Sequence, residues 1–303
     1  MLAMITGVTG QVGDALLKSL APDWSIIAAN RNQFDLARPD RIPSALDQIG
    51  PDLIVNAAAY TAVDRAEDEK ELAFLVNAVA PAAIAQWAAS RRVPVIHFST
   101  DYVFDGSGTQ PWREDDPANP LSTYGASKLA GDEAVRSAGG PHLIVRTSWV
   151  YAAHGTNFLR TIVRLSMVRK ELRIVADQIG APTSARLIAN TVAGIIGVDT
   201  TFLVDRFSAS GGAINVAASG ETSWYGFAVA IVTGLRARGV ALYVESVVPI
   251  MTEDYQTSAI RPTNSRLDLT RLRRVFRIEP PKWDQALAVE LDRLAGELNQ
   301  VGR

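Results

Sequence analysis

The chain has 303 residues, 30 Lys+Arg against 32 Asp+Glu, a formal net charge of −2, three histidines and no cysteine. The missing thiols exclude a cysteine nucleophile, an iron–sulfur cluster and a disulfide framework, and His97, His142 and His154 lack zinc-ligand spacing, so no metal site is expected. The near-neutral balance argues against nucleic acid as a partner. The longest apolar stretch, Ala78 to Ala89, is shorter than the ~20 residues that span a bilayer, so no membrane is expected. No basic segment precedes an apolar one at the N-terminus, and the expected location is the cytoplasm.

Residues 2–8 form an apolar run, followed by glycines and a helical pattern through Val12, Ala15, Leu16 and Leu20. Further apolar runs begin at Ser25, Leu53, Val93 and His142, with helical segments before Gly50, from Glu69 to Ser90 and from Tyr124 to Ser137. The runs are apolar throughout, as in strands covered on both faces, and strand–helix alternation implies a parallel sheet. Residues 1–150 are therefore predicted to form a Rossmann-like α/β domain, doubly wound.

Beyond Trp149 the rhythm changes. Asn157 to Lys170 reads as an amphipathic helix, residues 172–183 as a strand entering a polar turn, and Leu187 to Val198 as a helix returning to the sheet. Short strands are expected at 211–219 and 240–248, and a closing helix from Trp283 to Leu298. Residues 151–303 are thus predicted to be a smaller α+β part, mostly substrate-binding and interleaved with the first through a return helix around 184–200.

Gly7-x-x-Gly10-x-x-Gly13 lies where the first strand meets the first helix. Glycines there allow a tight turn and close backbone approach to a pyrophosphate, and the helix N-terminus supplies free N–H groups. After the second strand comes Asn30-Arg31, with no carboxylate before Asp35. A carboxylate at that position would favour the 2′-OH of NADH, so NADPH is the expected cofactor, with NADH possible and a solvated Arg31 the competing reading. Asp35-Leu36 suits an adenine ring or a plain loop.

Tyr124-x-x-x-Lys128 has the i,i+4 spacing that puts two side chains on one helix face. A tyrosine ordinarily titrates near ~10, and a neighbouring ammonium favours the phenolate and brings it closer to neutrality. Ser99-Thr100-Asp101-Tyr102 ends a strand, at the edge of the sheet where ligands bind, and the Thr100 hydroxyl could meet Tyr124 or a substrate oxygen.

With these residues in place, nearly the whole chain resembles the extended short-chain dehydrogenase/reductases. The likeness runs through Gly7 to Gly13, Asn56-Ala-Ala-Ala-Tyr-Thr-Ala-Val-Asp64, Ser99-Thr-Asp-Tyr-Val-Phe-Asp-Gly106 and Tyr124-Gly-Ala-Ser-Lys128. It continues through Arg146 to Tyr151, Asn157-Phe158, Asp177 to Thr183 and Arg261 to Ser265. The resemblance implies NADPH-dependent reduction of the C4 keto group of a dTDP-sugar, dTDP-6-deoxy-L-lyxo-4-hexulose, to dTDP-L-rhamnose. It implies catalytic roles for Tyr124, Lys128 and Thr100. Gly10, Gln11 and Val12 would meet the cofactor phosphates, Asn30 and Arg31 the adenosine ribose, Asp35 and Leu36 the adenine, and Ala59, Tyr60 and Thr61 the dinucleotide. Val63, Thr100, Asp101, Tyr102 and Trp149 would line the sugar pocket, Trp149 being otherwise an ordinary core residue.

Some members of the family dimerise through magnesium held by glutamates. At the matching positions stand Ala15 and Arg186, so a bridging Mg is doubtful, and a monomer or weak homodimer is expected. Arg261 and Arg266 are either diphosphate ligands or surface residues. Another nucleotide-sugar 4-ketoreductase or an epimerase of the same family is the competing activity, and a non-catalytic regulatory subunit the competing class.

Overall fold

The computed structural model describes residues 1–20, 24–197 and 202–301. Six strands form one parallel sheet: β1 (Leu2–Thr6), β2 (Ser25–Ala29), β3 (Leu53–Asn56), β4 (Val95–Thr100), β5 (His142–Thr147) and a late strand, Gly212–Asn215. The spatial order is Gly212–Asn215, β5, β4, β3, β1, β2. The chain leaves β1 toward β2 and then crosses to β3 on the other side. The loops after β1 and β3 therefore diverge, and the crevice between them is where such sheets take ligands.

Alternation along the strands feeds two cores. Ala3, Ile5, Leu53, Val55, Ile96 and Val145 face α1 (Gln11–Leu20) and the return helix Ala185–Ile196. Met4 and Ile54 face α2 (Ile42–Ile49), with Ile84, Trp87 and Ala88. The segment from Lys70 to Arg91 is long and apolar enough to cross a membrane by length and composition alone, but Ala80, Ile84, Trp87 and Ala88 on it belong to this core. It is helical at Lys70–Phe74, wide (π-helical) at Leu75–Val79 and helical again at Ala80–Arg91.

A separate core joins the helices Phe158–Ser166, Trp224–Ala237 and Trp283–Val301 to the paired strands Glu171–Val175 and Ser246–Ile250. At about 25 cal/mol per Å² of apolar surface removed from water, each of their fully buried leucines and phenylalanines contributes about 2 kcal/mol.

Several expectations shift here. The sequence reading contained no helix at Leu203–Ser210, Trp224–Ala237 or Thr270–Phe276. The strand expected at 240–248 pairs only over Ser246–Ile250, because the amides of Tyr243 and Val244 are drawn to the Ser166 carbonyl. The strand foreseen at 172–183 is broken into Glu171–Val175, Ile179–Gly180 and Thr183–Ser184. The return helix expected at Leu187 to Val198 runs from Ala185 to Ile196, and Val198 lies outside the described residues.

Candidate active site

The glycine turn leaves no room for side chains. A methyl group on Gly13 would sit 2.1 Å from the Gly7 carbonyl oxygen, and one on Gly7, whose φ is +69°, would sit 2.7 Å from the Ala58 amide nitrogen. The helix α1 begins immediately afterwards at Gln11, so its free N–H groups point into the crevice. A dinucleotide pyrophosphate fits such a cradle. The Gln11 side chain accepts a 2.8 Å hydrogen bond from Asn157, which ties the turn to the C-terminal half. Val12 packs against the sheet core.

At the end of β2, Asn30 uses its side-chain oxygen to cap the amides of Asn32 and Gln33. Arg31 is 80% exposed and 3.4 Å from Asp35, whose carboxylate also accepts from Ala37 N. Leu36 is buried in the core beside α2 and presents no open apolar face. After β3, Ala59, Tyr60 and Thr61 form a loop held from behind by Asn77. The Asn77 side chain accepts from Tyr60 N at 2.8 Å and donates to Tyr60 O and Ser127 Oγ at 3.0 Å.

The candidate reacting groups converge at the ends of β4 and β5. Thr100 pairs in register with Thr147, and the chain then turns through a 3-10 segment, Asp101–Val103. The Thr100 hydroxyl donates to Asp101 Oδ1 at 3.0 Å and accepts from Tyr102 N at 3.2 Å. Burial pushes Asp101 up to about 6, against hydrogen bonds from Ser265 and Thr100. The buried Thr147 and Ser148 hydroxyls have no partner among the described residues, leaving polar atoms available at this edge.

Helix Thr123–Ser137 carries Tyr124 and Lys128 to the same edge. Ser122 caps it through Gly125 N, while Glu67 accepts from both the amide and the hydroxyl of Thr123 at 2.8 Å. Tyr124 meets Tyr102 edge-on, with ring centroids 5.5 Å apart. Burial raises the Tyr124 hydroxyl well above its ordinary value, and the Thr100 side chain pulls it partly back. The sequence reading had Lys128 lowering it. Instead, Lys128 Nζ donates to Phe98 O at 2.6 Å and lies 3.4 Å from His97 Nε2. The groups that act on Tyr124 besides burial and Thr100 are Asp101 and Asp132, which raise it further, and burial pushes Lys128 itself down to about 8, with Asp132 opposing.

Trp149 has a left-handed backbone, φ +49°, and stacks on Trp224 at 3.6 Å between ring centroids. Trp224 donates to Gln178 Oε1 at 3.1 Å. Val63 lies half-buried on the loop before Asp64. Arg261 forms a two-pronged pair with Asp64, at 3.1 and 2.7 Å, which brings residues 259–261 against that loop. Arg266 lies farther off, bound to Glu221. Ala15 is core, and Arg186 is paired with Glu290 at 2.9 Å.

Four participants escaped the sequence reading: Asn77, His97, Asp132 and Trp224. Asn77 and Trp224 sit in helical segments whose apolar character gave no polar signal, His97 meets Asn56 only through strand register, and Asp132 meets Ser99 and Arg146 only where its helix packs on the sheet.

The chain matches the family model described as the RmlD substrate binding domain over residues 1–295. It is 45% identical to a dTDP-4-dehydrorhamnose reductase of Burkholderia thailandensis, covering 95% of this chain and 97% of the relative. It is also similar to the crystal structure of a dTDP-4-dehydrorhamnose reductase from Clostridium acetobutylicum: TM-score 0.88, 33% identity, 97% and 99% of the two chains. A third likeness is to the Bacillus anthracis dTDP-4-dehydrorhamnose reductase in complex with NADP: TM-score 0.85, 31% identity, 98% and 99% coverage.

Proposed function

The chain belongs to the family of the RmlD substrate binding domain, and we propose that it reduces the C4 ketone of dTDP-6-deoxy-L-lyxo-4-hexulose with NADPH, yielding dTDP-L-rhamnose. The observation that carries the chemistry is the convergence of Thr100, Tyr124 and Lys128 at one edge of the sheet, beside the glycine turn.

NADPH, when bound, supplies the hydride. The turn Gly7 to Gly13 and the N-terminus of α1 receive its phosphates, Gln11 and Val12 flank them, and Ala59, Tyr60 and Thr61 line the opposite wall. Asn30 and Arg31 border the adenosine end, with no carboxylate directly after β2 to claim a 2′-hydroxyl, Asp35 being paired with Arg31 at 3.4 Å. Residues 1–150 serve the cofactor and most of 151–303 the sugar nucleotide, the two interleaved through the return helix and strand Gly212–Asn215.

Tyr124 is the proton donor. Its buried, raised hydroxyl stays protonated at neutral pH, the form that can protonate an alkoxide developing at C4. Thr100 offers a second hydroxyl to that oxygen, and hydrogen bonds aimed at developing charge in a dry site stabilise it strongly. Lys128 holds a proton at Nζ behind the tyrosine. Val63, Asp101, Tyr102 and Trp149 enclose the sugar.

Two further readings follow. The expected location is the cytoplasm. The assembly is a monomer or weak homodimer without bridging magnesium, since Ala15 offers no carboxylate and Arg186 is occupied by Glu290.

The test is NADPH oxidation with the dTDP-linked 4-keto sugar, with Tyr124→Phe as control. A loss of about 10²–10⁴-fold in kcat with NADPH binding intact is expected for removal of the acid. A variant turning over at the parental rate would remove Tyr124 from the mechanism. Wild-type protein that binds NADPH without turning over would favour a regulatory subunit, and tightly retained NAD an epimerase.

A further inference from the structure

Behind the reacting edge lies a buried polar row that the reduction itself does not use. Sheet register aligns Thr6 of β1 with Asn56 of β3, and Asn56 with His97 of β4. The row is directional. Ala58 N donates to Thr6 Oγ1 at 3.1 Å, so the threonine proton is free to go to Asn56 Oδ1, 2.7 Å away. With the Asn56 oxygen taken up by Thr6, its Nδ2 meets His97 Nδ1 at 3.1 Å. An amide N–H₂ can only donate, so Nδ1 is the acceptor, and the proton of a neutral ring sits on Nε2. Burial and the nearby Lys128 both hold His97 neutral.

His97 Nε2 points at Lys128 Nζ, 3.4 Å away, with Asp132 Oδ1 at 4.0 Å, beyond hydrogen-bonding distance. A neutral amine accommodates both neighbours, donating to Phe98 O and accepting from His97. An ammonium has no lone pair and meets the Nε2–H donor to donor. We propose that His97 is a positioning residue for Lys128, a donor locked in the Nε2–H form that supports the neutral amine and opposes the ammonium. The proposal rests on Lys128 acting in the reduction, and its consequence is a lysine that releases its Nζ proton readily, available to restore the Tyr124 hydroxyl.

The other charges around Lys128 are accounted for. Asp132, one helical turn away, favours the ammonium, but Ser99 at 2.9 Å and Arg146 at 3.4 Å already engage its Oδ2. Tyr124 on the same helix is uncharged at neutral pH, and Asp101 of the 3-10 turn acts on Tyr124. Gly131 faces the same row: a methyl group there would lie 3.4 Å from His97 Nε2 and 2.0 Å from the Asn77 carbonyl oxygen, so backbone packing holds the ring in place.

The experiment is NMR on the full-length, cofactor-free protein labelled with ¹⁵N-histidine and ¹³C-lysine, in wild type, His97→Gln and His97→Leu. His97 is one of three histidines and should show the Nε2–H tautomer across pH 6–10. Lys128 should titrate near 8 in wild type. The glutamine variant, which keeps a donor, should leave that value in place, and the leucine variant should raise it by about one pH unit. The corresponding limb of the kcat/KM profile should move with it. An Nδ1–H tautomer, or a Lys128 value that stays put or falls in His97→Leu, overturns the proposal. The wild-type tautomer decides even if the leucine variant does not fold. These readouts need neither NADPH nor substrate, so failure here is distinct from failure of the reductase reading.

Discussion

At the scale of single residues, the site keeps groups that fold badly in order to act. Asp101 is buried beside Thr100 and pushed up to about 6, so above that pH a carboxylate is held where its charge is poorly solvated. An acid whose folded value is raised binds more protons folded than unfolded between about pH 4 and 6, so stability falls as pH climbs through that window. The cost is fully present at pH 7, on the order of 3 kcal/mol. Asp101→Asn should therefore raise the midpoint of urea unfolding at pH 7 and do little below pH 4, while weakening turnover of the sugar nucleotide. A variant equally unstable at both pH values would contradict this. That Tyr124 and Lys128 share one helix face was legible from spacing, because i,i+4 on a helix is a local property, while their roles were read from the resemblance. His97 was not legible. Its meaning depends on Asn56 and Thr6, 41 and 91 residues earlier, being aligned by parallel register.

At the scale of elements, the loop lining the dinucleotide is held by a side chain from a helix behind it. Asn77 sits in the wide turn Leu75–Val79 and bonds Tyr60 at both backbone groups as well as Ser127. Asn77→Ala would strand the Tyr60 amide and carbonyl, at about 1–3 kcal/mol for each group left buried without a partner. The expected outcome is lower stability and a raised KM for NADPH, with kcat changed much less. An unchanged KM would show that the loop is held elsewhere. Strand β5 stands where its apolar run suggested, buried over nearly its whole length as a strand covered on both faces must be, and β2 stands at its run too although it is the partly exposed edge strand. Helix Trp224–Ala237 escaped for the same physical reason turned around. It is apolar on most sides, facing Leu287 and Leu291 as well as Phe158, and shows no clean stripe to the eye.

At the scale of the whole molecule, the sheet with a core on each face stands with a separate third core, and the chain passes between the two parts more than once. Strand Gly212–Asn215 returns to extend the sheet beyond β5, Asn157 reaches back to Gln11, and Arg261 reaches Asp64. The N-terminal sheet and the glycine turn were readable because their signals are contiguous. The C-terminal part was readable only in outline, its strands being two to five residues long and paired with distant segments. In the proposed reaction this interleaving would set a dinucleotide at the carboxyl ends of the strands and a sugar against the second half. The most direct test is to supply NADPH deuterated at C4 of the nicotinamide together with dTDP-6-deoxy-L-lyxo-4-hexulose and examine the product by NMR. The account predicts dTDP-L-rhamnose carrying one deuterium at C4 of the sugar, formed in step with NADPH oxidation. Product without deuterium at that carbon, or no product from protein that binds both molecules, would contradict it.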